Sequence, residues 1–428
     1  MHSEVTIIGG GIAGVSAAYY LAKDGVKVRL IDKEAIASQQ SGRNWGFIRR
    51  HGCHPYEVPL VKDSARCWAS LSDELGPDLG VIRKGCISLA SDLDRLEQFH
   101  DWVQQTNAEQ TLGSQVISAD AVRELLPGIQ GEWLGALYSA DDAHAVPTQA
   151  TRTLAAAAER AGAVLDVGTT VLGIRVSGDR VVGVSTSRGD LGTGILICAA
   201  GAWSSRLLRP LGVELPIRWV RGTAARTNSV EPITDLAVAT PSVGFSQAAD
   251  GAITFGTTAW SDYDLSLSSF RHLRLFVPNL MRNRAMFRFH VNRLLAEDVL
   301  GHFPGHPRRH NPFVWPWVDQ PPPNVGKVER AHESLKKLLP KLADSRIQQI
   351  WAGYIDITPD ALPVVGPASA VRGLYLATGL SSHGFGIGPG VGHAVAELAV
   401  KGTSSIDVSP FRLERFRSRE AIAAHQHI

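Results

Sequence analysis

Three glycines near the start of the chain have the spacing of a phosphate-binding turn. Gly9, Gly11 and Gly14 fit the pattern G-x-G-x-x-G in the segment VTIIGGGIAGVSAAYYLA, and Asp32 ends the next apolar segment. Glycines at these positions allow a tight turn, close approach of the backbone to a pyrophosphate, and close packing of a helix on a strand. A carboxylate at the position of Asp32 accepts a hydrogen bond from a ribose hydroxyl. The pattern therefore predicts a dinucleotide site, and the acid argues against the 2′-phosphate of NADP.

The elements around these glycines are those expected of a βαβ unit. Residues 5–8 form a short apolar, β-branched run that is typical of a buried parallel strand, residues 12–24 are predicted as a helix, and residues 27–32 as the second strand. The free N–H groups and the positive dipole end at the start of that helix favour a bound phosphate. The alternative is a glycine-rich turn in a βαβ unit that binds no cofactor.

A second glycine-rich segment lies near the end of the chain. Residues 374–377 are predicted as a strand, the glycines from Gly384 to Gly392 as a loop, and residues 394–400 as a helix. Such a turn could bring backbone groups to the pyrimidine carbonyls and N1 of a flavin. Two such turns far apart in sequence fit one extended cofactor better than a nicotinamide, so the sequence favours FAD. A structural turn is again the alternative.

Three segments of the chain resemble the D-amino-acid oxidase family of FAD-dependent enzymes, in particular its glycine oxidase and sarcosine oxidase branch. They are QSGRNWGFIRRHG (40–52), GILICAAGAWSSRLL (194–208), and ITPDALPVVGP (357–367) with GLYLATGLSSHGFGIGPGVGHAVAELA (373–399). The resemblance implies an α/β fold in which a Rossmann-like FAD-binding domain is interleaved with an α+β substrate domain built on a mostly antiparallel sheet. The active site is expected between the two. The FAD-binding domain would comprise residues 1–79, 146–215 and 326–428, and the substrate-binding domain residues 80–145 and 216–325.

The turns and the resemblance together predict a set of cofactor-binding positions. They are Gly9, Gly11, Ile12, Ala13, Gly14, Asp32, Lys33, Ser41, Gly42, Arg43, Asn44, Trp45, Gly46, Val171, Ala200, Gly201, Trp203, Ser382, His383, Gly384, Phe385, Gly386 and Ile387. The family's cysteine for covalent flavin attachment corresponds to Gly353, so the resemblance implies non-covalent FAD. No metal site is expected, because the four cysteines lack metal-ligand spacing.

A flavin would itself carry the oxidation of a C–N bond, which leaves the protein to orient the substrate and exclude water. A guanidinium can bind a substrate carboxylate through two hydrogen bonds. Arg49 and Arg50 are the candidates, because the resemblance places a carboxylate-binding arginine in this loop. The spacing leaves open which of the two it is, and both could instead face solvent or phosphate. The predicted substrate-binding residues are Arg49, Arg50, Phe245, Tyr354, Ile355 and His383.

The chain departs from the family pattern at three cationic positions. Two cations near the substrate carboxylate correspond to Ile355 and Gly386, and a lysine that assists the reaction with oxygen corresponds to Thr254. These changes predict a pocket that is more apolar than one built for glycine. In residues 268–298, arginines interleave with apolar residues at helical spacing. That stretch is compatible with an amphipathic helix pair, a lid over an apolar substrate group, or a dimer surface.

The expected function is therefore FAD-dependent oxidation of an amino acid or N-substituted glycine that carries an apolar group. The imine product would be hydrolysed, in some cases to glyoxylate and an amine, and O2 would accept the electrons. The alternatives are a D-amino acid or opine dehydrogenase that reduces a quinone or a protein, and a non-catalytic flavin-folded binding subunit. A net charge of +2 argues against nucleic-acid binding. With no apolar run of membrane-spanning length, a cytoplasmic protein is expected, and the oligomeric state stays open.

Overall fold

The computed structural model describes residues 3–300, 303 and 320–417. Twelve helices and twenty-two strands are defined within these ranges. The helices are α1 Ile12–Lys23, α2 Gln40–Arg43, α3 Val58–Leu75, α4 Leu93–Thr106, α5 Ala108–Leu112, α6 Ala119–Leu125, α7 Pro147–Arg160, α8 Ser204–Leu208, α9 Leu273–Arg282, α10 Arg293–Leu300, α11 Val325–Leu338 and α12 Gly384–Lys401. The strands are β1 Val5–Ile8, β2 Val28–Asp32, β3 Phe47–Ile48, β4 Val81–Ile82, β5 Cys86–Ala90, β6 Ser114–Ser118, β7 Gly135–Ser139, β8 Ala143–Ala145, β9 Val164–Val167, β10 Val171–Ser177, β11 Arg180–Thr186, β12 Gly189–Gly192, β13 Ile195–Cys198, β14 Arg218–Ser229, β15 Ala237–Ala239, β16 Gly244–Gln247, β17 Ala252–Gly256, β18 Ser261–Asp264, β19 Phe287–His290, β20 Ile347–Ile357, β21 Val364–Pro367 and β22 Leu374–Thr378.

The first sheet has six strands in the order β21-β22-β13-β1-β2-β9. Its pairs are parallel except β21 with β22. The central strand β1 is buried along its whole length, as a parallel strand covered on both faces must be. Helices α1, α7 and α12 contribute to the core on one face, and the three-stranded sheet β10-β11-β12 packs on the other.

The second sheet has ten strands and is mostly antiparallel. Its order is β19-β18-β14-β17-β16-β15-β5-β7-β6, and β20 pairs with β14 from Ile357 to Ile347. Its core contains Phe245 and Phe255 together with Val328 and Leu335 of helix α11. A further small sheet, β3-β8-β4, begins with the strand that follows α2. The predicted α/β fold class, with a mostly antiparallel sheet beside the largely parallel one, is confirmed.

Two details differ from the expectations. Helix α11 and strand β20 lie in the stretch expected to return to the FAD-binding domain at residue 326, yet they pack on and pair within the second sheet. The reason is that α11 places its apolar face on that sheet, and β20 completes the hydrogen bonds of β14. The division of the chain into functional domains stays a prediction.

The second difference concerns the glycine-rich segment before residue 394, which is not a loop. Helix α12 begins at Gly384 and includes the glycines up to Gly392. A Cβ added at Gly388 would lie 2.5 Å from Ile12 Cγ2, one at Gly390 2.9 Å from Ser64 Cβ, and one at Gly392 2.5 Å from Ser16 Cβ. These glycines therefore let α12 approach α1 and α3 closely.

The stretch 268–298 forms α9, β19 and part of α10 and carries several exposed apolar side chains, such as Phe270 and Met281. Phe276 is buried under the Arg218 guanidinium, whose carbon lies 4.6 Å from the ring centre. The expectations of a lid or a dimer surface stay untested. Within the described ranges, no helix is long and apolar enough to cross a membrane.

Candidate cofactor and active site

A cavity of about 950 Å³, partly open to solvent, lies at the carboxyl ends of β1, β2 and β13. In the sheet, β1 has β2 on one side and β13 on the other, so the connections from β1 and from β13 run in opposite directions. Such a topological switch point is where open α/β sheets bind their ligands. Eleven of the predicted cofactor residues line it. They are Gly9, Gly11, Ile12, Ala13, Asp32, Lys33, Ser41, Val171, Ala200, Gly201 and Trp203.

The glycine turn is shaped by close backbone contacts. Gly9 has φ +114°, and a Cβ there would collide with the carbonyl of Ala199. Gly14 lies outside the cavity wall, and a Cβ there would collide with the carbonyl of Gly9. The N-terminal cap of α1 is Gly11, which has no side chain to bond the free amides of the first turn. Ser41 Oγ accepts one of them, the Ile12 amide, at 2.9 Å. The start of α1 therefore faces the cavity, as phosphate binding requires.

Asp32 lies at the end of β2 and braces the turn. Its Oδ2 accepts the Gly10 amide at 2.6 Å and its Oδ1 accepts the Glu34 amide at 2.8 Å. Burial raises the pKa of this carboxyl above its ordinary value. The ammonium of Lys33 lies 4.3 Å from the centre of the Trp203 ring. The cavity wall thus has an acid and an aromatic surface where the predicted ribose and adenine would lie.

Three buried polar atoms in the cavity wall have no hydrogen-bond partner among the described residues. They are Asp356 Oδ1, Gln40 Nε2 and Thr169 Oγ1. Burial raises the pKa of Asp356 to about 6, although the Gly379 amide and, after it, the nearby Gln40 amide act to lower it. Buried polar groups are normally paired, so this set indicates a ligand that supplies both donors and acceptors. The hydroxyl groups of FAD fit that requirement. Asp356 was not among the predicted cofactor residues.

The loop after α2 reaches from the cavity towards the second sheet. Arg43 donates to the Ala352 carbonyl at 2.9 Å, and a Cβ at Gly353 would lie 3.0 Å from Arg43 Cδ. Trp45 packs on β16 and β17, since a Cβ at Gly256 would lie 2.5 Å from its Nε1. Gly42, Arg43, Asn44, Trp45 and Gly46 lie outside the cavity wall. Their predicted role in cofactor binding stays a prediction.

The predicted residues at the start of α12 also lie outside this cavity wall. They are Ser382, His383, Gly384, Phe385, Gly386 and Ile387. His383 precedes the helix, its Nδ1 lies 3.0 Å from the Ser381 carbonyl, and its Nε2 lies 2.6 Å from Glu57 Oε1. The contact between His383 and Glu57 therefore ties the start of α12 to the segment before α3. Glu57 is 1% exposed and comes from a segment 326 residues away, which is why sequence spacing gave no sign of it.

The two candidate arginines lie together but differ in their surroundings. Arg50 Nε donates to Asp142 Oδ1 at 2.8 Å, and its Nη2 lies 3.4 Å from Asp141. Burial lowers the pKa of Arg49, while neighbouring groups that include Asp142 and Glu57 raise it. Both arginines line a second cavity of about 430 Å³. Gly386 and Ile387 also line this second cavity. The cavity therefore lies between the two arginines predicted to bind a carboxylate and the start of α12.

The other predicted substrate residues are spread over two places. Phe245 is 1% exposed and packs in the core of the second sheet, against neither cavity. Tyr354 is buried against Trp219, with ring centres 5.3 Å apart, and burial raises its pKa. Ile355 contacts the backbone near Gly222. Phe245, Tyr354 and Ile355 line neither cavity, and their predicted role in substrate binding stays a prediction.

The sheet, the glycine turn and the cavity at the switch point define a dinucleotide-binding protein. The sequence profile of the FAD dependent oxidoreductase family (DAO) matches residues 4–398, and the chain belongs to this family. The predicted family membership is thus confirmed.

Individual relatives agree with that assignment. The chain is 27% identical over 429 residues to sarcosine oxidase subunit beta of Rhizobium meliloti (strain 1021), which covers 97% of this chain and 88% of the relative. It is 26% identical to glycine oxidase of Pseudomonas aeruginosa over 96% of this chain and 98% of that protein. The solved structure of L-amino acid deaminase from Proteus myxofaciens in complex with anthranilate has a TM-score of 0.88 at 24% identity, covering 97% of this chain and 94% of that one.

Proposed function

We propose that this protein uses non-covalent FAD to oxidise the C–N bond of an amino acid or N-substituted glycine. The single observation that supports this most strongly is the cavity at the switch point, whose wall presents the glycine turn and three unpaired buried polar atoms. The relatives named above act on sarcosine and glycine according to their names, which supports the substrate class. The absence of a nucleophilic side chain at Gly353 supports non-covalent binding.

The residues around the cavity have distinct roles in holding the cofactor. The amides at the start of α1 would bind the pyrophosphate, Asp32 a ribose hydroxyl, and Asp356, Gln40 and Thr169 the remaining hydroxyl groups. When bound, FAD supplies the acceptor for the hydride equivalent that leaves the carbon beside nitrogen. The close contacts at Gly9 and Gly14 keep the backbone near enough to the phosphates.

Substrate orientation is assigned to Arg49 in this proposal. Arg50 Nε donates to Asp142, which gives this arginine a structural role, although its buried Nη2, 3.4 Å from Asp141, makes no hydrogen bond within the described residues. Arg49 would bind the substrate carboxylate, and Ile48, Trp68 and Ile387, which line the same cavity, would contact an apolar substituent. Glu57 fixes the orientation of the His383 imidazole. The imine product is then hydrolysed by water.

The electron acceptor is proposed to be O2. The dehydrogenase alternative is favoured by one observation: Thr254, on strand β17 opposite Ser246, stands where the family places an oxygen-activating lysine. Steady formation of H2O2 during turnover supports an oxidase. Reduction of the flavin without peroxide in air, with turnover restored by an artificial quinone, supports the dehydrogenase.

An anaerobic screen tests the proposal directly. The purified yellow protein is mixed with amino acids and N-alkyl glycines, and bleaching of the flavin band is followed. The expected result is rapid bleaching by at least one compound with an apolar group, with a keto acid or glyoxylate as the product. As a control, the bound flavin is reduced by illumination in the presence of an electron donor. If that treatment bleaches the flavin band but no amine does, the protein is a non-catalytic flavin-folded subunit instead.

A further inference from the structure

A cluster of three metal-ligating side chains lies between helices α3 and α12, apart from both cavities. Asp63 and Cys67 are four residues apart on α3, so they share one helix face, and His393 faces them from α12. Asp63 is 4% and Cys67 7% exposed, while His393 is partly exposed. None of the three lines either cavity described above.

The donor atoms form a compact triangle. His393 Nδ1 lies 3.0 Å and Cys67 Sγ 3.9 Å from Asp63 Oδ2, and all three donor atoms lie within 4.8 Å of one another. Ligand atoms of a tetrahedral Zn²⁺ with bonds of about 2.0–2.3 Å lie about 3.3–3.8 Å apart. The observed separations bracket that range.

The surroundings of the triangle also suit a metal ion. Glu397 Oε1 lies 4.0 Å from His393 Nε2, on the side of the ring away from Asp63, where it could accept the N–H of a metal-bound imidazole. Arg66 is bound to Asp63 Oδ1 at 2.7 Å and its side chain is 74% exposed, while Oδ2 contacts His393 Nδ1 at 3.0 Å, a hydrogen bond that the metal would replace. The partly exposed His393 gives an entry path and room for a water as the fourth ligand.

The packing of the two helices fixes the position of the triangle. Ser64, next to Asp63, donates to the Gly386 carbonyl at 2.7 Å and accepts the Gly390 amide at 3.2 Å. The missing Cβ of Gly390 allows this approach. The ring of Tyr20 covers one side of His393, with ring centres 4.8 Å apart.

We propose that Asp63, Cys67 and His393 form a Zn²⁺ site with three protein ligands and one water, which ties α3 to α12. Its donor set of one thiolate, one imidazole and one carboxylate is typical of zinc rather than of magnesium or calcium. Sequence spacing did not indicate this site, because His393 lies 330 residues from Asp63. The site does not depend on the flavin chemistry proposed above.

Zinc binding to the FAD-loaded protein tests the proposal. After treatment with a chelator, calorimetric titration with ZnCl2 should show one tight site, and zinc should raise the thermal midpoint. X-ray absorption at the zinc edge should show one sulfur at about 2.3 Å and lighter ligands at about 2.0–2.1 Å. His393→Asn and Cys67→Ser should each weaken zinc binding by about 100-fold or more, and Glu397→Gln by about 10–100-fold.

Matched variants elsewhere serve as controls. His100→Asn, at an exposed position of α4, and Cys53→Ser should leave zinc affinity unchanged. An unchanged flavin spectrum shows that each variant is folded. If Cys67→Ser fails to fold, the His393→Asn variant is used for the test, because His393 is partly exposed. Absence of a tight site in the wild type, or equal affinity in His393→Asn, would show that Asp63 and His393 form only an ion pair.

Discussion

Asp356→Asn should stabilise the protein without cofactor while it weakens FAD binding. The carboxyl is 1% exposed, its Oδ2 accepts the Gly379 amide at 2.8 Å, and its Oδ1 has no partner in the described part of the chain. Burial raises its pKa from 3.8 to about 6. At about 1.4 kcal/mol per pKa unit, that difference corresponds to about 3 kcal/mol of lost stability when the group is ionised. The amide carries no charge and removes this cost.

The gain in stability should depend on pH in a defined direction. Because the pKa of Asp356 is higher in the folded protein, the folded state binds this proton more tightly than the unfolded chain. The stability that protonation contributes is therefore present at low pH and is lost as the pH rises from 3.8 to about 6. Asp356→Asn should match the wild type near pH 3.8 and exceed it by up to about 3 kcal/mol above the folded-state pKa.

The loss of FAD affinity follows from hydrogen bonding. The Gly379 amide needs an acceptor, so the new side chain should turn its oxygen towards that amide and its NH2 group into the cavity. A flavin hydroxyl then loses its acceptor, which should weaken binding by about 10-fold.

The assay is urea unfolding of the FAD-free protein at acidic and alkaline pH, together with FAD titration by fluorescence. Asp344→Asn, at an exposed position, is the matched control and should change neither quantity. If Asp356→Asn is no more stable than the wild type at alkaline pH, Asp356 is not an uncompensated buried charge and the reasoning fails.

Other residues give further predictions. Asp32→Ala should weaken FAD binding by about 1.5–3 kcal/mol, measured by titration, and unchanged affinity would mean that Asp32 does not reach the ribose. Arg50→Met should lower the free energy of unfolding by about 1.5–3 kcal/mol, since it removes the guanidinium from the buried Asp142 and leaves that carboxylate only the residue 50 amide and His51, and an unaltered denaturation curve would contradict this. Arg49→Met should raise KM by about 30-fold or more with the flavin spectrum intact, and a change in kcat alone would argue against carboxylate binding. Glycine should be a poorer substrate than an amino acid with a sizeable apolar group by about 10–200-fold in kcat/KM, and the reverse order would refute the apolar pocket.

Local patterns made the dinucleotide turn predictable from the sequence. Gly9, Gly11 and Gly14 act mainly through contacts within the turn or with neighbouring segments of the same unit. Their spacing in the sequence was therefore enough to predict the dinucleotide-binding turn. The position of Asp32 at the end of β2 followed from the same unit. The fold class followed as well, since the family resemblance extends along most of the chain.

Contacts between distant segments were not predictable in the same way. The glycines of α12 looked like a loop because their partners, such as Ile12 and Ser64, lie more than 300 residues away. Glu57 showed its significance only through its contact with His383. Phe245 was predicted near the substrate, but the alternation of strand β16 turns its side chain into the core.

Titration of the FAD-free protein with FAD tests the central claim most directly, namely that the cavity at the switch point holds this cofactor. One FAD per chain should bind and restore the yellow colour, and acid should release it intact. Gly14→Val should abolish binding, because its side chain would collide with the Gly9 carbonyl, whereas Gly326→Ala, which has open space, should bind normally. No binding by the wild type, equal binding by Gly14→Val, or flavin that stays on the acid-precipitated chain would contradict the account.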